Sequence, residues 1–518
     1  MESSAKKIIL KIIKARPKNY GEFLTVKRQL TNELKISPIT NATLIKAYRQ
    51  IAAADPKLID YLIKRSTRTL SGVTPITVLT KPFACPGQCL YCPLEPGMPK
   101  SYLSNEPAAQ RAKALKFDPF RQVKARIKAL EANGHTVDKI ELLVLGGSWS
   151  AYDKKYQEWF IKQCFNAANG KTSKTLKQAQ RKNETTRYRI IGVTLETRPD
   201  LITPAEVKWL RELGATRMQL GVQHLDEKIL KLVCRNQTNK QVAAATALLK
   251  QAGIKVDYHL MPDLPGSTPA KDLAVFKKLF SDPRFQPDQI KIYPTVVNKY
   301  APLYQWYRRG KYKPYTEKQL LDLLIKIKQT VPYYVRINRL IRDIPKESIT
   351  AGNKITNLRQ LIQEKLKQQG KICRCIRCRE AKENIADFKK AELFTQKYRA
   401  SAGTEYFISY ESPKRDQLYS FLRFRINDNP DNFLPELSNA SLVRELHTYG
   451  KLVSVTNKTK SRLQHRGFGK RLMKIAEELT LKNGLKKIAV ISGIGVRPYY
   501  KKLGYRLEGT YMVKYLHN

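Results

Sequence analysis

From Ile76 onward, short apolar runs of strand length recur, separated by stretches with helical spacing. The runs cover 76–79, 140–145, 190–195, 217–222, 256–260 and 290–293. The stretch 203–210 between two of them begins with Thr203, Pro204 and Glu206: a capping hydroxyl, a proline in the first turn and a carboxylate near the helix amino terminus. Repeated strand and helix units predict a parallel sheet, open or closed into a barrel. Ahead of them, residues 1–70 place Ile8, Ile9, Ile12 and Ile13, then Leu44, Ile45 and Tyr48, at helical spacing among basic residues, which predicts a small helical module. The polar, lysine-rich segment 171–189 reads as a surface insertion, and 345–399 as a basic, helical linker. A new mixed α/β pattern starts near Ala402, with strands expected around 405–410, 418–426, 441–447 and 488–491. The expected division is therefore 1–70, 71–345, 346–400 and 401–518, with no solenoid-type repeat.

A chain of 518 residues is too long for one ordinary core, which agrees with this division. No apolar stretch reaches membrane-spanning length and the start lacks a signal-peptide pattern, so a soluble, cytoplasmic protein with no membrane partner is expected. Charge narrows the function further. Lys and Arg number 96 against 44 Asp and Glu, a net +52, which points to a polyanionic partner. Cations alternate with aromatics in Tyr304, Trp306, Tyr307, Arg308 and Arg309, and again in Lys311, Tyr312, Lys313 and Tyr315. Such interleaving neutralises phosphates while rings stack on unpaired bases, as in single-stranded RNA binding; a merely well-solvated surface is the plain alternative.

Six of the eight cysteines fall in two clusters, which in a chain without an export signal reads as metal ligation before disulfides. Cys85, Cys89 and Cys92 have the spacing C-x3-C-x2-C on a loop after the first strand. Three thiolates can hold three irons of a [4Fe-4S] cluster and leave the fourth iron open to a small ligand; a zinc site is the alternative. This spacing, with Tyr91 before the last cysteine, is similar to that of the radical S-adenosylmethionine (SAM) enzymes, in which the open iron takes the amino and carboxylate groups of SAM. Gly146, Gly147 and Ser148 then end the next strand at its carboxyl end, where such sheets bind ligands and where a glycine backbone can reach SAM. Glu196 and Arg198 follow the third strand and are candidates for SAM contacts or for a surface ion pair. Lys291 and Tyr293 end a later strand, facing the same cavity or standing at a barrel rim. Cys373, Cys375 and Cys378 in the basic linker suit a structural zinc ion with a fourth ligand from elsewhere.

In the carboxyl-terminal part, Gln464, Gly467 and Gly469 match the Q/R-x-x-G-x-G/A signature of the GNAT acetyltransferases at the start of a helix expected over 470–482. Glycine lets the backbone approach, and free N–H groups at a helix start can meet the pyrophosphate of coenzyme A. An upstream strand, Val443 to Thr448, stands where that fold pairs with pantetheine. The downstream string from Val496 to Tyr505 matches the helix that places a tyrosine near the thioester sulfur, and Tyr500 is preferred over Tyr499 as the proton donor to a leaving thiolate.

Taken together, the chain resembles the catalytic third subunit of Elongator in its stand-alone bacterial or archaeal form, from about residue 15 onward. The resemblance is carried by residues 101–107, 192–200, 258–267 and 464–469. It implies a radical SAM partial (β/α) barrel followed by a GNAT α/β domain, with a basic helical tRNA-binding module in front. It implies formation of 5-carboxymethyluridine at wobble uridine 34 of tRNA from acetyl-CoA and SAM, through a radical on the acetyl methyl that adds to uracil C5, followed by thioester hydrolysis. The implied acetyl-CoA contacts are Lys139, Glu445, Leu446, His447, Thr448, Phe468, Gly469, Lys470 and Tyr500. The implied partner is the tRNA anticodon stem-loop; a homodimer is compatible, and Elongator partner subunits are not called for. Ser148, Thr448 and Lys470 stand where the family more often has threonine, valine and methionine. A protein lysine acetyltransferase with a structural iron–sulfur domain, and an RNA-binding protein with vestigial sites, are the rival readings. The intact cysteine trio and the charge speak against the first, and the full set of motif residues against the second.

Overall fold

The computed structural model describes residues 2–51, 56–63, 72–381, 388–449 and 467–517. Strands β1 (Thr74–Leu79), β2 (Lys139–Leu145), β3 (Arg189–Thr197), β4 (Ala215–Gln223), β5 (Lys255–Leu260) and β6 (Gln289–Ile292) are followed by the short β7 (Val296–Val297), then β8 (Arg336–Arg339). All but β7 form one parallel sheet in chain order, while β7 pairs with β9 (Ala351–Gly352). Sequential order without reversal is that of a (β/α) barrel, here left open between β1 and β8.

The strands are buried on both faces, yet their two faces differ in chemistry. Met218, Leu220 and Val222 of β4, Val256 and Tyr258 of β5, and Ile290 and Ile292 of β6 point outward into the main core under the helices. The alternate positions of the same strands, Arg217 and Gln219, Asp257 and His259, Gln289 and Lys291, are polar and face the lumen. Fully burying each such aliphatic side chain contributes roughly 1.5–3 kcal/mol, so the outward face holds the barrel and leaves the inward face to other work.

The second sheet comprises β10 (Glu392–Arg399), β11 (Gly403–Glu411), β12 (Leu418–Asn427), β13 (Ala440–Thr448), β14 (Lys487–Val490), β15 (Arg506–Glu508) and β16 (Tyr511–Tyr515). Its order is β10-β11-β12-β13-β14-β16-β15, and β13 with β14 is its parallel pair. That pairing runs only from Ala440 to Val443, so among the described residues no strand lies beside Arg444 to Thr448 on that side. The helix Phe468–Lys482 lies between the two strands in sequence and packs Leu472, Met473 and Ala476 on one face of the sheet. The other face, with Phe407, Tyr419, Phe421 and Leu442, joins the main core of the barrel. At the amino terminus, helices Glu2–Ala15, Tyr20–Glu33, Asn41–Tyr48 and Pro56–Leu62 enclose their own core around Ile8, Ile9, Phe23 and Leu44. Among the described residues no helix is long and apolar enough to cross a membrane.

Two expectations are corrected. Segment 171–189 is not a surface insertion: Thr175 and Gln178 cap the helix Leu176–Asn183, which buries Leu176, Ala179, Gln180 and Asn183. Just beyond it, Glu184 accepts from Lys501 at 2.8 Å and Arg497 at 3.3 Å, tying the barrel to the second sheet. The stretch 345–399 is helical at Leu358–Gln368, but its end forms β10, where alternate exposed and half-buried side chains reveal an edge strand. Both patterns are hard to see in the sequence because polar residues take core-facing positions, Gln180 and Asn183 in the helix and Gln396 in the strand, among exposed lysines and arginines.

Candidate functional site

The loop after β1 carries Cys85, Cys89 and Cys92 at the carboxyl-terminal mouth of the barrel. Cys85 Sγ lies 3.5 Å from Ser148 Oγ, so the cysteine loop and the turn at Gly146 and Gly147 meet. That turn needs glycine: both residues have positive φ, +135° and +103°, and a Cβ on Gly146 would overlap the Thr80 hydroxyl. A hydrogen bond from Cys92, and then the Arg235 guanidinium, bring the Cys89 thiol down to about 4 against the opposing effect of burial.

Glu196 and Lys291 face each other across the lumen. Tyr102 donates to Glu196 at 3.0 Å, and Lys291 donates to Gln219 Oε1 at 2.7 Å. Burial raises the Glu196 carboxyl, against Lys291 and Tyr102, and lowers the Lys291 ammonium to about 8, against Asp257 and Glu196. Arg198 grips Asp200 with two nitrogens, while its third, Nη1, is buried against Gly87 of the cysteine loop, where a Cβ would collide with it. Unpartnered buried polar atoms gather here: Tyr91 Oη, Thr197 Oγ1, Arg198 Nη1, Gln219 Nε2, Asp257 Oδ1 and His259 Nε2. Such atoms in a native fold call for a polar ligand. A cysteine trio, a glycine turn and this set of donors and acceptors fit a [4Fe-4S] cluster with SAM.

A second cavity of about 740 Å³ lies at the opposite mouth, between the amino-terminal ends of the barrel strands and the second sheet. Its barrel side presents Lys139, Glu141, Arg217, Lys255 and Gln289; its other side presents Glu445, Leu446, His447, Thr448, Gly467, Gly469, Lys470, Tyr499 and Tyr500. The parting of β13 from β14 opens this space. Glu445 is held by Lys255 at 2.9 Å and Arg423 at 2.8 Å. Burial, aided by Arg336, lowers His447 to about 4, and its Nε2 has no hydrogen-bond partner among the described residues. Gly467 adopts the left-handed conformation (φ +77°) as the cap of the helix Phe468–Lys482, and Gly467, Gly469 and Lys470 at the helix start line the cavity. Phe468 turns its ring into the core against Tyr410, with 4.7 Å between centroids, and is not among the residues that line the space. Burial raises the Tyr500 phenol and keeps its proton on. Gln464 lies outside the described residues.

Between the two mouths the lumen is filled with hydrogen bonds. Arg217 pairs with Glu141 at 2.7 Å and donates to Gln289 at 2.9 Å; Asn338 donates to Gln289 at 2.6 Å and Asp257 at 2.8 Å. The residues singled out from sequence thus divide into two sets, with Glu196 and Lys291 in one and Tyr500 in the other. Sequence reasoning missed Tyr102, Gln219, Arg235, Asp257 and His259. A signal did exist for Gln219, Asp257 and His259, polar residues at alternate positions of strands buried on both faces.

Cys373, Cys375 and Cys378 have sulfurs all within 4.8 Å of one another, the one such group of three or more candidate metal ligands among the described residues. Hydrogen bonds from Cys373 and Cys375, then Lys328, hold the Cys378 thiol far below its usual range, and Lys328 Nζ lies 3.4 Å from Cys378 Sγ. The knuckle is sewn to both halves: Ile376 N donates to the Val335 carbonyl, and Arg379 pairs with Glu411 at 2.8 Å.

The Radical SAM superfamily model matches residues 81–278, and the Radical_SAM C-terminal domain model matches 287–368. The chain is 43% identical to the tRNA uridine(34) acetyltransferase of Methanocaldococcus jannaschii, over 89% of this chain and 87% of that one. It is also 43% identical to the protein of that name from Dehalococcoides mccartyi, over 88% of this chain and 100% of that one. Against Elongator complex protein 3 of Homo sapiens the identity is 38%, over 90% and 89%. The solved structure of archaeal Methanocaldococcus infernus Elp3 with an N-terminal deletion (1–46) superposes with a TM-score of 0.76 at 40% identity, covering 86% of this chain and 100% of that one.

Proposed function

The chain belongs to the family of tRNA uridine(34) acetyltransferases and Elongator complex protein 3, and from that premise we propose that it converts the wobble uridine of tRNA to 5-carboxymethyluridine with acetyl-CoA and SAM. One observation carries the reading: a three-cysteine loop and a coenzyme-sized cavity open into the same barrel from its two ends.

In this reading Cys85, Cys89 and Cys92 hold the [4Fe-4S] cluster, and Gly146, Gly147, Ser148, Glu196 and Arg198 hold SAM. When bound, the pair supplies one-electron cleavage of a sulfonium and so a carbon radical able to take hydrogen from a methyl group. The chain's own residues do the rest. Lys291 keeps Glu196 and Asp257 in place as a buried cation. In the second cavity, a GNAT-type site, the helix start at Gly467 to Lys470 takes the pyrophosphate of acetyl-CoA and residues 445–448 take its pantetheine. The hydroxyl of Tyr500 gives its proton to the sulfur of coenzyme A as the thioester is hydrolysed. Cys373, Cys375 and Cys378 hold a zinc ion that fixes the two halves together. The basic amino-terminal module and the cation–aromatic segment 304–315, whose Tyr304, Trp306, Tyr307 and Tyr312 pack in one cluster with Cys89 and Tyr91, grip the anticodon arm.

The test uses anaerobically reconstituted protein with tRNA, SAM, a reductant and methyl-labelled acetyl-CoA, read by nucleoside mass analysis. Label in uridine is the expected result; label on protein lysines and none on uridine would overturn the assignment. Cys89→Ala is expected to abolish SAM cleavage and leave coenzyme A binding intact.

A further inference from the structure

Arg235 stands in a loop that no motif singled out. Residues 233–237 follow the helix Glu227–Leu232 and pack on the cysteine loop, where Leu90 N donates to the Val233 carbonyl at 3.0 Å. Cys234 and Asn236, on either side of Arg235, both have positive φ, +56° and +44°. The left-handed backbone at these two positions places the Arg235 side chain between them against the cysteine loop.

Arg235 is 5% exposed and each nitrogen of its guanidinium is used. Nε donates to Gln237 Oε1 at 3.2 Å, Nη2 donates to the Gly221 carbonyl, and Nη1 points at Cys89 Sγ, 3.7 Å away. Gly221 makes room for it, since a Cβ there would stand 3.0 Å from Nη2. Gln237 is itself anchored, donating to the Val222 carbonyl at 3.0 Å. Two of the acceptors, an amide and a carbonyl, are neutral, and the third is the sulfur of a cysteine, which carries negative charge once it ligates iron. A buried cation needs an anion, and what this one faces is the sulfur of a cluster ligand.

We propose that Arg235 sets the reduction potential of the iron–sulfur cluster, by donating a hydrogen bond to Cys89 Sγ and fixing a buried positive charge beside it. This rests on reading Cys85, Cys89 and Cys92 as the cluster's ligands. Taking up one electron makes the cluster and its thiolates more negative by one charge. A fixed cation in contact with a ligand sulfur therefore stabilises the reduced form more than the oxidised one, and burial spares that attraction from screening by salt. Arg235 is thus a positioning residue whose influence is electrostatic and reaches the cluster through Cys89.

The full chain, reconstituted anaerobically with iron and sulfide and kept free of SAM, is titrated electrochemically while the electron paramagnetic resonance signal of the reduced cluster is followed. Arg235→Gln removes the charge, and its potential is expected to fall by the equivalent of about tenfold in the reduction equilibrium constant, about 59 mV for one electron. Arg235→Lys restores the charge without the planar fork and is expected to recover at least half of that fall. Thermal unfolding of each variant reports whether the fold is kept. An unchanged potential in Arg235→Gln with full iron content would overturn the proposal, as would a lysine variant no higher than the glutamine one. Loss of iron from both variants with the fold intact would also overturn it, because Arg235 would then be a support for the loop. Wild-type protein that takes up no iron would instead defeat the reading of the cysteine trio, so the two failures are distinguishable.

Discussion

Lys291 shows how much a single buried cation can decide. Its ammonium, lowered to about 8 by burial, loses its proton within reach of ordinary assay conditions, and with it the charge facing Glu196 and Asp257. Product formation is expected to fall above about pH 8. In Lys291→Arg, which stays charged, that alkaline limb should vanish even if the rate is lower; a limb unmoved in a pH–rate profile would show that another group titrates. His447 works in the opposite pH range. Its imidazole falls from the ordinary 6.5 to about 4 on folding, so between those values the unfolded chain binds more protons than the folded one. The resulting stabilisation is complete above pH 6.5 and is lost as pH falls to about 4, an effect on the order of 3 kcal/mol. His447→Gln should flatten the acid limb of stability between pH 6.5 and 4 in chemical denaturation. The cysteine spacing showed from the sequence that a three-cysteine loop exists. That Arg235, 146 positions from Cys89 along the chain, supplies its cation could not be read, because nothing local links the two.

Among the elements, the turn 493–495 has the most demanding fit. A Cβ on Gly493 would overlap the Ile191 carbonyl, and one on Gly495 would stand 2.6 Å from Arg189 Cβ, because this turn lies directly on the start of β3. Overpacking of this kind typically costs about 1–3 kcal/mol. Gly493→Ala should therefore lower the melting temperature and weaken acetyl-CoA binding in the adjoining cavity, while iron content at the far mouth stays at the wild-type level. Equal loss of both, by calorimetry and iron assay, would show that the halves are not separately perturbed. The strands themselves were plain in the sequence, since Val, Ile and Leu recur at strand length in β2 to β6. Their polar alternate positions also carried the lumen's signal, but it is easily taken for solvent exposure, and only the pairing of β3 through β8 shows that it faces inward.

On the scale of the whole molecule, the barrel and the second sheet meet across buried charges. Asp288 and Glu405 lie among Lys250, Arg423, Arg425 and Arg444, with Arg444 bonded to Asp288 at 2.6 Å and to Glu405 at 2.9 Å. These guanidinium and ammonium groups hold the Asp288 carboxyl far below its usual range despite burial. Asp288→Asn would leave those cations short of an anion, and breaking one side of a buried ionic set costs about 3–5 kcal/mol. Barrel and second sheet should lose that stability together, in one shifted transition by calorimetry; two separate transitions would show that the interface does not couple them. The sequence by itself determined the strand and helix units, the two cysteine trios, the glycine turns and the excess of positive charge, because spacing, periodicity and composition are local and survive without a fold. Only the tertiary structure decided that Lys291 and Tyr500 belong to opposite mouths of one barrel, that segment 171–189 is an interdomain brace, and that Arg235 faces Cys89. Those facts depend on which strand lies beside which, and contacts between distant parts of a chain are fixed by packing, which no short stretch of residues encodes.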